Sequence, residues 1–442
     1  MADFAIQTRL GLCYPRPTYK TSAIKCMEIY LVGGAVRDEL LGLEVSERDW
    51  VVLGETPESM VAQGFRPVGK DFPVFLHPQS HDEYALARTE RKFAPGYKGF
   101  TIHASPEVTL TQDLIRRDLT INAIAKNPEG QLFDPFGGQR DLQQRVFRHI
   151  SPAFAEDPVR ILRVARFAAR YQHLGFTLAE ETRLLMAAMV TAGEADHLVP
   201  ERVWAELRKA LLEATPSAFF HTLKACTALA TIFPEIDRLF GVPQPATYHP
   251  EIDTGIHSLL CLDQAVRLSD SPEVRFASLV HDLGKALTPP DNWPHHYGHE
   301  QLGLPVLAQL CNRLRVPNHY KTLALQVMQY HTHCHKVMEL RANTLTDMLA
   351  ALGVFKVQHN LEHFILACTA DAKGRTGLED KPYPQADYLR AAAQAATAVD
   401  TSAITNSTLQ GAAIGVAIRQ LRIDAVSEFI KHHKSDSALA AQ

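Results

Sequence analysis

Strand-like runs in this chain are confined to roughly its first 150 residues, and the rest carries helical periodicity. Short β-rich runs at 29–32, 50–53, 72–76 and 84–87 are separated by Gly, Pro and charge, and they alternate with helix-like segments such as 35–41. That alternation predicts an α+β or α/β head. From about 151 onward, apolar residues recur at the 3.6-residue period over 158–171, 180–189, 201–212 and 218–229, several of these segments starting after Pro or with an acidic first turn. They predict helices. Pro243-Gln244-Pro245 and His249-Pro250 break the helical texture and mark a boundary near 235–250. Residues 1–26 have neither period, and Met27 directly precedes the first strand, so the folded part is expected to begin at Met27 behind an appended or mis-started leader.

At 442 residues the chain has room for two to four domains. It is 46% hydrophobic and 21% charged, with no apolar stretch approaching the roughly 20 residues that cross a bilayer. The seven cysteines are scattered, odd in number and free of any C-x-x-C spacing, which is the usage of a reducing compartment. A cytoplasmic protein is expected. The formal charge of −4 argues against bulk attraction to nucleic acid, but the charge is segregated. Residues 86–170 hold 14 Lys+Arg against 9 Asp+Glu, a local basic surface.

Four groups of residues carry chemistry in the first 170 positions. Leu31-Val32-Gly33-Gly34-Ala35-Val36-Arg37 reads as strand, glycine turn and helix start, where free N–H groups and Arg37 suit a phosphate. Glu47-Arg48-Asp49 heads an apolar strand, and period two puts both carboxylates on one face, as sharing divalent cations requires. Glu83 is a candidate third carboxylate from a neighbouring strand. Arg116-Arg117-Asp118 follows, and then Asp157 and Arg160 one turn apart, with Arg163 and Arg166 continuing an i+3 ridge that suits polyphosphate.

In this order the motifs resemble the class II tRNA nucleotidyltransferases, the CCA-adding enzymes of the polymerase-beta-like superfamily, and most closely the bacterial multifunctional CCA proteins. The resemblance covers about 28–440. It includes Arg48-Asp49-Trp50-Val51-Val52, Ala85-Leu86-Ala87-Arg88-Thr89-Glu90-Arg91-Lys92, Val203-Trp204 and the string from His249 to His257. It implies a nucleotidyltransferase head over 27–150, an all-α neck over 151–235 with a nucleotide-recognition helix, an HD body over 236–375 and a helical tail over 376–442. By the same resemblance Gly34, Arg37, Arg117, Arg163 and Arg166 would bind ATP or CTP, and Glu47 and Asp49 would be catalytic and hold magnesium. Asp157 and Arg160 would read the base, Asp157 accepting from the exocyclic amino group of C or A and Arg160 donating to acceptors on that edge. The family's metal pair is usually Asp-x-Asp, so Glu47 departs from it by one methylene. The implied reaction is addition of the 3′-terminal CCA to tRNA from CTP and ATP without a nucleic-acid template, by two-metal nucleotidyl transfer. The protein is expected as a monomer or a homodimer.

Ten of the 21 histidines lie between His249 and His335, which invites a metal. Of two His-Asp dipeptides, His81-Asp82 reads as loop, while His281-Asp282 ends an apolar helical run. With His257 upstream and Asp371 downstream, it matches the H…HD…D pattern of HD-domain metal-dependent phosphohydrolases, whose ligands suit a first-row transition metal that activates water. His299 and His331 are additional candidates. The resemblance implies nickel or another divalent ion here, with phosphatase, 2′-nucleotidase and 2′,3′-cyclic phosphodiesterase activities. Three rivals remain: a bacterial poly(A) polymerase, which shares the head motifs, an HD phosphohydrolase whose head only binds nucleotide or RNA, and a tRNA-binding protein without turnover.

Overall fold

The computed structural model describes residues 27–45, 47–68, 73–92, 100–356, 360–405 and 408–440. The expected leader 1–26 lies outside them. The chain divides into a head unit ending at Glu156 and a helical unit beginning at Asp157.

In the head, β1 (Glu28–Val32) runs through Gly33 into α1 (Gly34–Leu40), followed by β2 (Asp49–Leu53), α2 (Pro57–Ala62), β3 (Arg66–Val68), β4 (Val74–Leu76) and β5 (Glu83–Leu86). The antiparallel ribbon β6 (Arg88–Lys92) and β7 (Phe100–Ala104) precedes α3 (Leu110–Ile115), β8 (Ala125–Lys126), β9 (Leu132–Phe133) and α4 (Gly138–Gln144). The main sheet runs β3-β4-β5-β2-β1-β8-β9. In it β2 and β5 are parallel, while β2 and β1 are antiparallel. Both faces are covered, which is why β2 is a continuous apolar run. Val32, Val51, Leu110, Leu114 and Ala123 pack on one side, and Val52, Met60, Phe75 and Leu86 on the other. A capping box starts α3: the Gln112 N–H donates to Thr109 Oγ1 at 3.3 Å, and the Thr109 N–H donates to Gln112 Oε1 at 2.9 Å.

The second unit is helical, with α5 (Val159–Tyr171), α6 (Glu180–Thr191), α7 (Pro200–Leu211), α8 (Ser217–Ala225), α9 (Ala228–Ile232) and α10 (Pro234–Asp237) first. Then come α11 (Thr254–Leu268), α12 (Pro272–Val280), α13 (His299–Arg313), α14 (Asn318–His335), α15 (Ala342–Ala351), α16 (Leu361–Lys373), α17 (Gln385–Thr397), α18 (Ser402–Thr405) and α19 (Ala412–Ala440). The single helix expected over 218–229 is broken in two at Cys226-Thr227, where Thr227 takes a φ of +61°. The turn lets Phe219 and Phe220 stack edge-on with Phe233 at 6.1 and 6.0 Å, a packing gain that local periodicity does not register. None of the described helices is long and apolar enough to cross a membrane.

The centre of this unit is α12, whose Val274, Phe276, Ala277, Leu279 and Val280 are all buried. Trp204 of α7 meets Phe276 and Tyr320 edge-on at 5.6 and 4.9 Å, and α11, α14 and α16 pack around α12. At its end Gly284 lies against the start of α13. A Cβ there would fall 1.9 Å from the His299 carbonyl oxygen and 2.7 Å from the Gly303 nitrogen, both backbone atoms. Gly284→Ala is therefore expected to destabilise the protein by about 2 kcal/mol or more, read as a lowered melting temperature; an unchanged melt would refute this close crossing.

Candidate functional site

The head site grows from the register of β2. Asp49 pairs with Val32, the residue before the glycine turn, and on its other side with Glu83 of β5. Asp49 shares a face with Val51, and Glu47, two residues earlier, stands just ahead of the strand. Glu47, Asp49 and Glu83 are all exposed. Desolvation raises the Asp49 pKa; the Arg117 charge opposes that rise and the Glu47 carboxylate adds to it. Two like charges pushed together at a strand mouth fit a cation. Gly33 has a φ of +71°, and a Cβ on it would lie 2.9 Å from Arg117 Nη1, so both conformation and space require glycine.

Arg117 leaves the end of α3 and is steadied by Asp113, which its Nη2 meets at 3.2 Å. Burial would raise the Asp113 pKa, but Arg116 and Arg117 carry it below the usual carboxylate range. Arg37 points into the protein. Its Nε and Nη2 donate to the Asp38 carboxylate at 2.8 and 3.1 Å, and its Nη1 donates to Asn122 Oδ1 at 2.6 Å. Gly34 packs against that guanidinium, 3.4 Å from a virtual Cβ to Nη2.

Asp157, Arg160, Arg163 and Arg166 belong to the helical unit, at and along the first turns of α5. The apolar face of α5, Ile161, Leu162, Val164 and Ala165, is fully buried, leaving the arginines on the half-buried face. The Asp157 carboxylate is gripped from α7: Arg202 donates through Nη2 to Oδ2 at 3.0 Å and through Nη1 to Oδ1 at 3.3 Å. Its Oδ1 also accepts the Val159 N–H at 3.0 Å. Arg166 Nε meets Glu206 Oε2 at 2.7 Å, so the ridge has an acidic partner that the segment itself lacks. Arg163 and Arg166 both lie over the Phe167 ring, at 5.7 and 4.6 Å. Arg202 and Glu206 had no signal in sequence, being some 40 residues away on another helix.

The body brings its four candidates together. His257 comes from α11, His281 and Asp282 from the end of α12, and Asp371 from α16; all are buried. His257 Nε2 lies 3.2 Å from Asp371 Oδ1 and 3.8 Å from Asp282 Oδ2, and His281 Nε2 lies 3.2 Å from Asp282 Oδ2 and 3.6 Å from Asp371 Oδ2. The far nitrogens are anchored, His281 Nδ1 to the Ser278 carbonyl at 2.8 Å and His257 Nδ1 to the Gly374 carbonyl at 3.1 Å. That fixes Nδ1 as the donor and turns each Nε2 lone pair inward. His281 Nε2 and Asp282 Oδ1 are buried without a hydrogen-bond partner, as atoms awaiting an ion would be, while Asp282 Oδ2 faces the Lys285 ammonium at 2.6 Å. Without an ion, burial disfavours charge on His281, but Asp282 and Asp371 outweigh it and push its pKa up to about 10, so the Nε2 lone pair is free for an ion only once that proton is displaced.

Several neighbours escaped the sequence reading. Glu251 accepts from His249 Nδ1 at 3.1 Å and lies 2.9 Å from His257 Nδ1, a carboxylate behind a ligand. Burial lowers the His249 pKa to about 4, although Glu251 opposes that shift. Lys285 Nζ reaches Asp282 Oδ2 at 2.6 Å, and His335 Nε2 reaches Asp371 Oδ2 at 2.6 Å with Tyr383 on its other nitrogen at 2.8 Å. His299 and His331 also arrive here. The histidine clustering was the available signal for His249 and His335. His81 belongs to the head unit and lies in the turn before β5, with a φ of +61°.

Three family models match: the poly A polymerase head domain over 29–148, a probable RNA and SrmB-binding site of polymerase A over 175–240, and the HD domain over 254–352. The chain is similar to the multifunctional CCA protein of Methylococcus capsulatus, 64% identical over 90% of this chain and 94% of that one. It is 60% identical to that of Nitrosococcus oceani, over 91% of this chain and 99% of the relative. A Thermotoga maritima CCA-adding enzyme solved with tRNA shares the fold, with a TM-score of 0.59 at 20% identity over 93% of this chain and 91% of that one. By its sequence relatives, its head and its HD domain together, the chain belongs to the family of multifunctional CCA proteins, nucleotidyltransferases that carry an HD domain.

Proposed function

We propose that the protein builds or repairs the 3′-terminal CCA of tRNA from CTP and ATP without a nucleic-acid template, and that its HD domain is a metal-dependent phosphatase, 2′-nucleotidase and 2′,3′-cyclic phosphodiesterase. What carries the first part is the carboxylate group at the head of β2, Asp49 with Glu47 beside it and Glu83 in register, next to the Gly33 turn and the Arg117 guanidinium. Glu47 and Asp49 would hold magnesium, which lowers the pKa of the primer 3′-hydroxyl and neutralises charge on the transferring phosphoryl group. Arg117, Arg163 and Arg166 would bind the triphosphate, while Gly34 and Arg37 shape the turn on which it rests. Asp157, oriented by Arg202, would accept from the amino group of C or A, and Arg160 would donate to the neighbouring acceptors. UTP and GTP lack that amino group in that place. The buried free cysteines 226, 261, 311, 334 and 368 suit work in the cytoplasm.

His257, His281, Asp282 and Asp371 would hold the HD ion, nickel or another divalent transition metal, which supplies a metal-activated water for attack on phosphorus. His335, one edge of it exposed to solvent, and Lys285 line the same centre.

The test is direct. Given tRNA ending before its CCA, labelled CTP and ATP and magnesium, the protein is expected to add three nucleotides. A long A tail would instead identify a poly(A) polymerase, and no extension would leave only binding or hydrolysis. Arg160→Ala is expected to relax base choice, lowering the CTP/UTP discrimination in kcat/KM by roughly 10-fold or more, since a lost polar contact to the base is worth about 1–3 kcal/mol. Unchanged discrimination would remove Arg160 from the reading of the base.

A further inference from the structure

The segment that joins the end of α12 to α13 carries two aromatic rings that face solvent. Tyr297 is 79% exposed, more than any other large apolar side chain among the described residues, and His295 is exposed beside it. The two rings are stacked, with centroids 5.8 Å apart and 20° between their planes. A lone exposed ring needs no explanation. This pair is different because it is presented by a braced loop next to a reaction centre.

The brace is His296, which lies between the two rings in sequence and turns the other way. Its Nε2 donates to the Pro243 carbonyl at 2.8 Å, and its Nδ1 lies 2.6 Å from Thr288 Oγ1. Thr288 Oγ1 also accepts from Trp293 Nε1 at 3.1 Å and donates to the Lys285 carbonyl at 2.8 Å. Lys285 carries the frame into the HD centre: its Nζ lies 2.6 Å from Asp282 Oδ2 and donates to Gln244 Oε1, next to Pro243, at 2.5 Å. On the far side of the loop, two residues beyond Tyr297, His299 Nε2 lies 3.3 Å from Asp282 Oδ1. Two trans peptide units span at most about 7.6 Å between Cα atoms, so the exposed pair stands at the rim of the centre.

We propose that Tyr297, backed by His295, is a base shelf for the HD site: the nucleobase of a nucleoside 2′,3′-cyclic phosphate or 2′-phosphate stacks on the Tyr297 ring while its phosphate reaches the centre formed by His257, His281, Asp282 and Asp371. This rests on the reading of that centre as a phosphohydrolase. An open π-face selects a planar ring and carries no hydrogen-bond code, so the shelf accepts any base. A tyrosine has two χ angles to fix and the loop is already held, so little ordering opposes the stacking.

The test compares two substrates with the same five-membered cyclic phosphodiester, adenosine 2′,3′-cyclic phosphate and the base-free glycerol 1,2-cyclic phosphate, in the full chain loaded with nickel. In Tyr297→Ala the ratio of kcat/KM for the nucleotide to that for the base-free ester is expected to fall roughly 10-fold or more, through KM, because stacking on an aromatic ring is lost. Tyr297→Phe keeps the ring and should keep the parent's ratio. In metal-stripped protein, 8-azidoadenosine 2′,3′-cyclic phosphate should photolabel the peptide carrying His295 and Tyr297. An unchanged ratio in Tyr297→Ala, an equal fall in Tyr297→Phe, or a label confined to other peptides would overturn the shelf while leaving the phosphohydrolase reading standing. Hydrolysis of neither substrate by the parent would overturn that reading and the shelf with it.

Discussion

Asp49→Ala is expected to abolish incorporation of CTP and ATP into tRNA lacking its 3′ end, a loss on the order of 10³-fold or more. Asp49 is the firmer of the two proposed magnesium ligands, because it lies within β2 and is held in register between Val32 and Glu83, whereas Glu47 precedes the strand and carries one more methylene. Losing a ligand to an ion that stabilises the transferring phosphoryl group removes several kcal/mol of transition-state stabilisation, at about 1.4 kcal/mol per tenfold in rate. The substitution sits at an exposed strand end, so the fold should survive, and hydrolysis of 2′,3′-cyclic nucleotide by the HD domain is expected to persist as the internal control. An active Asp49→Ala enzyme would sink the two-metal reading. The same side chain reports on Arg117: with Asp49 gone, its charge has lost one carboxylate partner, and Asp113 remains.

His281→Ala and Asp282→Asn are expected to show the converse pattern, with phosphohydrolase turnover falling to background and CCA addition retained. His281 offers an inward Nε2 that no protein donor satisfies, and Asp282 offers one such oxygen, Oδ1, while its Oδ2 pairs with the Lys285 ammonium. Asn keeps the volume of Asp282 but not its charge, leaving Lys285 beside a neutral amide at the position of Oδ2. That costs stability, because a buried cation loses its partner, so a thermal melt belongs beside the assay. Loss of both activities in a protein that still melts normally would mean one shared site.

Much of this was legible because it is local. The glycine turn after β1, the Glu47/Asp49 spacing and the His281-Asp282 dipeptide at a helix end are readable within a few residues, since strand and helix periods act between near neighbours. The break at Thr227 was not legible, because it is driven by phenylalanines meeting across the turn rather than by any breaker residue. Nor was the inward turn of Arg37, since Asn122 lies 85 residues later.

By itself, then, the sequence determined the division into an α+β head and a helical remainder, the identity of the family, and which residues could carry chemistry. The tertiary structure alone decided their partners: Arg202 on Asp157, Glu206 on Arg166, Glu83 beside Asp49, and His299 and His331 on the second oxygen of Asp282. The physical reason is range. Periodicity is imposed by covalent neighbours, whereas an ion pair or ligand set between distant residues forms only where packing closes the intervening chain and excludes the water that would otherwise solvate each group.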